Sequence, residues 1–259
     1  MGASYPFTSA LVTGASSGIG EELTRRLVAA GVPVVAVARR RDRLDALAAE
    51  LGGVEVLVAD LATADGQDAV AARIADDDRP VELVVNNAGF GTGGAFVKLD
   101  VERLSEEISV NVTALTRLSH AAVTAMTGRG RGWLLNVSSF ASFQPAPRLA
   151  VYAATKAYVT SLSESLHQEV AGAGVVVTAL CPGLVHTEFQ DVSNTHHYQT
   201  NLPGFVWVEV DEVCTAALEG VAKGRALVVP GAFYKGASWA VNITPRWIRR
   251  AVSGMVQRE

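Results

Sequence analysis

SALVTGASSGIG, residues 9–20, sets a short Val-rich run directly before a glycine-spaced turn and the start of a helical pattern. Gly14, Gly18 and Gly20 come after the run with the spacing G-x3-G-x-G, which differs from the G-x-G-x-x-G of the usual dinucleotide fingerprint. Glycine lets a backbone turn tightly after a strand and come close to a ligand. The N-terminus of the next helix offers free N–H groups and a partial positive charge. The stretch therefore reads as a cradle for a pyrophosphate, with a bare strand-to-helix turn as the alternative.

Outward from this turn the same rhythm repeats. Apolar runs at 9–13, 34–38, 54–59, 82–86, 133–138, 175–181 and 226–229 suit strands buried on both faces. Helical patterns fill the intervals at 17–30, 41–51, 64–77, 100–127, 150–173 and 210–223, with Gly31 and Gly174 as stop signals after the first and fifth. This alternation predicts an α/β fold: a single doubly wound domain over residues 1–259, with helices on both faces of a parallel sheet.

The 259 residues are 49% hydrophobic and 19% charged, enough to bury a core without metals or disulfides. A net charge of −4 argues against a nucleic-acid partner, which draws on a basic face. Cys181 and Cys214 are the two cysteines and neither sits in a C-x-x-C, which fits a reducing compartment. The opening MGASYPFTSALVTG has no basic segment leading into an apolar one, and Pro6 stands where a myristoylation signal needs Ser or Thr. No run approaches the about 18 apolar residues that span a bilayer. A cytoplasmic protein is expected.

Two further stretches carry chemistry. VVNNAG closes the fourth run with Asn86, Asn87, Ala88 and Gly89, where amide side chains can brace backbone and small residues let a flat ligand pass. In NVSSFASFQPAPRLAVYAATK, residues 136–156, Ser138 and Ser139 end the fifth run, Tyr152 stands thirteen residues after Ser139, and Lys156 four after Tyr152. Positions i and i+4 share a helix face, so the Lys156 ammonium would lie beside the Tyr152 phenol. A neighbouring cation favours phenolate and lowers the phenol from its ordinary pKa of about 10.

The ordered set TGxxxGIG, NNAG, Asn111, Ser139, YxxxK and Pro182-Gly183 resembles the short-chain dehydrogenase/reductase family over residues 8–230 or so. The resemblance implies a seven-stranded parallel Rossmann sheet and an oxidoreductase that moves a hydride between nicotinamide and a carbonyl or secondary alcohol. It implies Tyr152 as general acid/base and Ser139, rather than the strand-end Ser138, as the hydrogen bond to the substrate oxygen. Lys156 would also grip the nicotinamide ribose, and Asn111 would hold a water linking Lys156 to solvent. Cofactor contacts carried over in the same way are Gly14, Ser16, Ser17, Gly18, Ile19 and Gly20 in the turn. Asp60 and Leu61 would lie at the adenine, with Asn87, Ala88 and Gly89 along the cleft. Pro182, Gly183, Val185 and Thr187 would face the nicotinamide.

The second run ends VAVARRRDRL. An NAD enzyme would carry an acidic residue there for the ribose 2′-hydroxyl, whereas Ala38 is succeeded by Arg39, Arg40 and Arg41. Guanidinium groups suit a 2′-phosphate, so NADP(H) is expected, with Arg39 as first contact and Arg40 as second. Ser17 departs from those NADP-binding members that have a basic residue at that position. His186 beside Glu188, with His196 and His197 nearby, lacks the spacing of a zinc set, and no metal is expected. A same-fold dehydratase or epimerase, and a cofactor sensor without turnover, are the rival readings.

The irregular segment 186–208 is a candidate substrate loop. Phe90, Phe140, Phe143, Phe189, Tyr198, Phe205 and Trp207 suggest an apolar carbonyl substrate such as a ketoacyl, steroid or aromatic ketone. Leu104, Ile108, Val112, Leu115 and Ala122 form an apolar stripe in the 100–127 pattern, where the family makes subunit contacts, so a homodimer or homotetramer is expected. In the C-terminal extension 231–259, Thr244-Pro245 reads as a helix start leading into a basic amphipathic stretch. Packing on its own fold or on a second subunit is preferred there to peripheral membrane contact, and covering the substrate cleft is a third role.

Overall fold

A computed structural model of the chain describes residues 5–194 and 203–244. The glycine-turn stretch forms β1 (Ala10–Thr13) and α1 (Gly18–Ala29). Next come β2 (Val34–Ala38), α2 (Arg41–Leu51), β3 (Val54–Val58), α3 (Ala64–Ile74) and β4 (Leu83–Asn86). After α4 (Val101–Ile108) the helix widens into a π-helical turn (Ser109–Ala114) and continues as α5 (Leu115–Arg129). Then come β5 (Gly132–Val137), α6 (Ala150–Glu169), β6 (Val175–Leu180) and the short β7 (Leu184–Val185) and α7 (Phe189–Val192). The described chain closes with β8 (Trp207–Val208), α8 (Val210–Ala222), β9 (Leu227–Val228) and α9 (Ala232–Ile243).

Seven strands make one sheet in the order β3-β2-β1-β4-β5-β6-β9, while β7 and β8 pair separately. Every pairing is parallel, and Val12 lies between Ala36 on β2 and Val85 on β4. The order reverses at β1, which puts the crevice of a doubly wound, Rossmann-type sheet at the carboxyl ends of β1 and β4.

Side chains alternate along each strand, and both faces are buried. Val12, Val85 and Leu135 join Leu23, Leu27 and Leu218 on one face. Their neighbours Leu11, Val84 and Leu134 join Val70, Ile74, Leu118 and Met126 on the other. Each fully buried Leu contributes about 1.5–3 kcal/mol, which is why continuous Val/Leu runs encode these strands. Local signals set the helix ends: Thr63 Oγ1 accepts from Gly66 N at 3.1 Å at the start of α3, and Gly31 takes φ +79° just after α1.

One expectation changes and one element is added. The π turn adds a residue to the 100–127 pattern and rotates the remainder of the helix by about 100°. The expected apolar stripe is not uniform: Leu104 before the turn and Leu115 and Ala122 after it are buried in the protein's own core, while Ile108, the residue that leads into the turn, remains 45% exposed. The 231–259 extension also begins differently. Its first described element is α9, and Thr244 is the residue that ends it, in extended conformation (φ −81°, ψ 127°). A residue before proline is pushed out of the α region, so α9 ends at Thr244, and the helix expected to start at Thr244-Pro245 lies outside the described residues. The basic stretch beyond it lies outside the described residues. Among the described residues, no helix is long and apolar enough to cross a membrane.

Candidate active site

The turn after β1 is shaped by what touches it. Gly14 has φ +68° and Gly18 φ +57°, and a Cβ on Gly14 would come within 2.7 Å of Asn87 Nδ2. A Cβ on Gly20 would overlap the Gly14 carbonyl oxygen and Asn87 Nδ2. Asn87 braces this contact by donating to Thr13 O at 2.9 Å, and Thr13 Oγ1 accepts from the Asn87 and Ala88 amides at 3.0 Å. Ser17 precedes α1 in an extended conformation without capping the helix by its side chain. The first N–H groups of the helix thus remain free for an anion.

A cleft of about 730 Å³ runs over these carboxyl ends. Gly14, Ser16, Ser17, Gly18 and Ile19 line its floor, Arg39, Arg40, Asp60 and Leu61 one end, and Asn87, Ala88 and Gly89 the middle. Ser139, Tyr152, Lys156, Pro182, Gly183, Val185 and Thr187 line the other end. Gly20 and Asn111 stand behind this wall as supports. The volume is that of a cofactor-sized site, and the close-packed glycine turn, free helix amides and flanking arginines fit a phosphorylated dinucleotide.

At the end lined by Ser139, Tyr152 and Lys156, the strand-end hydroxyls part company. Ser138 is buried and committed, donating to Lys156 O at 2.8 Å and meeting Thr160 Oγ1 at 2.7 Å. Ser139 opens to the cleft, its Oγ accepting from Ala141 N at 3.1 Å. Tyr152 is packed between Gly91, where a Cβ would meet its Cδ2 at 3.1 Å, and Phe189, 5.2 Å away between ring centroids. Lys156 is 4% exposed, and its Nζ donates to Val137 O at 2.8 Å.

The expected electrostatics are reversed in the free protein. Burial pushes the Tyr152 phenol up to about 12, with the Ser139 hydroxyl opposing that shift. Burial brings Lys156 down to about 8. Lys156 Nζ is 5.8 Å from the Tyr152 ring centre and points at a strand carbonyl, so desolvation outweighs its pull on the phenol.

Asn111 lies in the π turn and is 1% exposed. Its Oδ1 accepts from Phe90 N at 3.1 Å, and its Nδ2 donates to Phe90 O at 2.8 Å and Thr155 Oγ1 at 3.1 Å. The side chain thereby ties the helix to the strand-end segment. Wide π turns recur where a helix must present such a group.

Arg39 and Arg40 both border the cleft, and Arg40 is the one bonded to the side chains of the glycine turn. It donates to Ser16 Oγ at 3.0 Å and Ser17 Oγ at 2.9 Å, and pairs with Glu188 at 3.0 Å. Arg43 reaches the same carboxylate at 2.6 Å. Arg39 has a side chain 63% exposed and only a 3.7 Å contact with Glu106. The partnership of Glu188 and Arg43 gave no local signal, because it spans nearly 150 residues of chain.

Of the expected aromatic lining, Phe90, Phe140 and Phe189 border the cleft. Phe143 packs edge-on against Phe140, Phe205 against Phe233, and Trp207 stacks on His186 with ring centres 3.9 Å apart. Tyr198, His196 and His197 lie outside the described residues. Phe233 and Tyr234 of α9 complete the wall; composition alone did not single them out. Tyr234 Oη accepts from Leu184 N at 3.1 Å and donates to Val206 O at 2.7 Å.

The short chain dehydrogenase family model matches residues 8–197. An uncharacterized oxidoreductase of Staphylococcus epidermidis is 34% identical over 179 residues, 69% of this chain and 78% of that protein. The short-chain dehydrogenase from Sphingobium yanoikuyae, solved in complex with NADPH, superimposes with a TM-score of 0.83 at 34% identity, covering 97% of this chain and 96% of that one. The bulky-bulky ketone specific alcohol dehydrogenase from Comamonas testosteroni superimposes with a TM-score of 0.79 at 29% identity, covering 97% and 94%. The chain belongs to the short-chain dehydrogenase family. It is an oxidoreductase of the class that acts on CH–OH or C=O groups with a nicotinamide cofactor.

Proposed function

We propose that this protein is an NADP(H)-dependent oxidoreductase that interconverts an apolar ketone and its secondary alcohol. The observation that carries the reading is the cleft itself, with Ser139, Tyr152 and Lys156 at one end and Arg40, bonded to the glycine turn, at the other. A bound nicotinamide supplies or accepts the hydride. The chain's own residues do the rest. Ser139 Oγ holds the substrate oxygen, and Tyr152 gives that oxygen a proton in reduction or takes it in oxidation. Lys156 stands behind Tyr152 as the source of the replacing proton, and Asn111 holds the wall against which both are packed.

Arg40, with Arg43 beside it, supplies charge-assisted donors suited to a 2′-phosphate. The similarity to an NADPH-bound enzyme supports this choice. Phe90, Phe140, Phe189, Phe233 and Tyr234 around the reacting end favour a bulky apolar substrate, as does the likeness to a bulky-ketone alcohol dehydrogenase. The test is consumption of NADPH and NADH against a panel of bulky ketones, acyl thioesters and small hydroxy acids. The reading predicts turnover with bulky ketones and a preference for NADPH. Binding of NADPH with no consumption on any carbonyl would replace it with a cofactor sensor.

A further inference from the structure

Among the described residues, four buried polar side-chain atoms lack a hydrogen-bond partner, and three of them belong to Thr92 and Glu107: Thr92 Oγ1 and both carboxyl oxygens. Glu107 is 0% exposed, on the last turn of α4, one turn before Asn111. The hydroxyl and amide of Thr92 face its carboxyl, and the charges that reach it are Arg103 on its own helix and Lys156 on α6. Its charge is felt in turn by both Tyr152 and Lys156. Lys156 in turn lies beside Asn111 at Gly89, where a Cβ would meet Asn111 Oδ1 at 2.9 Å and Lys156 Nζ at 3.3 Å.

A carboxylate buried away from water with only the Thr92 hydroxyl and amide facing it is costly, so such a group takes up a proton rather than stay charged. Burial accordingly raises the pKa of Glu107 above the ordinary carboxylate range, with Thr92, Arg103 and Lys156 opposing. Nothing in the hydride or substrate chemistry uses this acid. The Asn111 side chain gives both Nδ2 hydrogens to Phe90 O and Thr155 Oγ1 and accepts from Phe90 N, so it has no proton left to donate towards Lys156. The orphaned atoms of Thr92 and Glu107 form the polar lining that one buried water, with its usual about three hydrogen bonds, would satisfy.

We propose that Glu107 is a positioning residue of the proton path: a buried carboxylic acid that reloads Lys156 through a water held with Thr92. The inference rests on the reading of Tyr152 and Lys156 given above. In the reducing direction the Tyr152 O–H bond breaks and its proton goes to the substrate oxygen. A proton from Lys156 Nζ restores the phenol. The Glu107 O–H then gives up its proton and restores the ammonium. The resulting carboxylate faces Lys156 and Arg103 until solvent returns the proton.

The test reads the proton first. Infrared difference spectra of the parent against Glu107→Gln, both without cofactor, should show an un-ionised carboxyl band at neutral pH that shifts in D2O and fades only above the ordinary carboxylate range. Absence of that band overturns the proposal, whatever the substrate. Should Glu107→Gln fail to fold, Thr92→Val takes its place: loss of its hydroxyl should shift the band, and an unshifted band overturns the proposal. On any ketone the parent reduces, Glu107→Gln should lower kcat about tenfold, less than the ~10² expected for the acid that touches substrate. It should also displace one limb of the pH profile and leave the KM for NADPH unchanged, with Glu107→Asp recovering part of the rate. A superimposable profile would overturn the proposal. A carboxyl band in a parent that reduces no ketone would instead refute the reductase reading and leave the buried acid standing.

Discussion

Arg39 and Arg40 look interchangeable in ARRRDRL, and the structure separates them, so replacing each by alanine is a sharp test of the cofactor reading. Arg40 already points its guanidinium at Ser16 and Ser17, on the floor of the cleft. A charge-assisted hydrogen bond contributes about 1.5–3 kcal/mol, or roughly 10- to 150-fold in affinity at about 1.4 kcal/mol per tenfold. Part of this is offset in the free protein, where Arg40 is held by Glu188 with both side chains 40% exposed. Such a surface pair is worth about 0–1 kcal/mol, at most about fivefold. From the middle of the range, the loss of NADPH affinity in Arg40→Ala should be on the order of tenfold. NADH, which lacks the 2′-phosphate, should lose only what the loosened Ser16–Ser17 turn costs. Arg39→Ala should change either cofactor by less than about threefold, since its one ion contact is long and exposed. Titration of NADPH and NADH by nucleotide fluorescence measures all four numbers. Equal losses for both cofactors in Arg40→Ala, or a larger NADPH effect from Arg39→Ala, would refute the reasoning.

The site and its walls support further expectations. Tyr152→Phe should fold and bind NADPH while turnover falls about 10²-fold or more; turnover within a factor of two of the parent would remove Tyr152 from its role. Lys156 has its pKa lowered from 10.5 to about 8 in the fold, so the unfolded chain holds the extra proton between those values and stability rises with pH through that window. Lys156→Met should therefore melt higher than the parent at pH 7, and the gap should shrink towards pH 10; a constant gap contradicts the burial argument. Tyr234→Phe removes two hydrogen bonds and should cost about 1–3 kcal/mol in chemical denaturation, with KM for a bulky ketone rising more than KM for NADPH. Ile108, Val112, Val151 and Ala154 line a shallow apolar groove between the helices expected to pair subunits; light scattering at micromolar concentration should give a dimer or tetramer, and a monomer would contradict that assembly.

Much of the fold was legible because strands covered on both faces must be apolar at every position, which is why runs such as VVAVA at 34–38 coincide with β2. The glycine turn was legible for a steric reason: no side chain fits where Gly14 and Gly20 pack on Asn87. The π turn was not, because an added residue leaves composition and local periodicity nearly unchanged; Asn111 inside a helix was its one trace. α9 was not placed from the sequence, where Gly236 interrupts the pattern of residues 232–243; its end at Thr244 agrees with the proline that follows. Likewise Glu188 and Glu107 could not be singled out from sequence. One owes its place to partners across the fold, the other to its burial opposite Thr92.

Gly183 and Tyr234 have a joint history to keep. The ring of Tyr234 occupies the space a Cβ on residue 183 would need, so the bend after β6 and the first turn of α9 are complementary surfaces. The family model ends at residue 197, well short of α9. Recombination with a relative that exchanges only the C-terminal helix would therefore separate a tyrosine from its glycine, leaving either a hole or a collision in the cleft wall they share with Tyr152 and Lys156. Chimaeras joined upstream of Gly183 should inherit a working wall, whereas those joined between 183 and 234 should need both positions transferred as a pair.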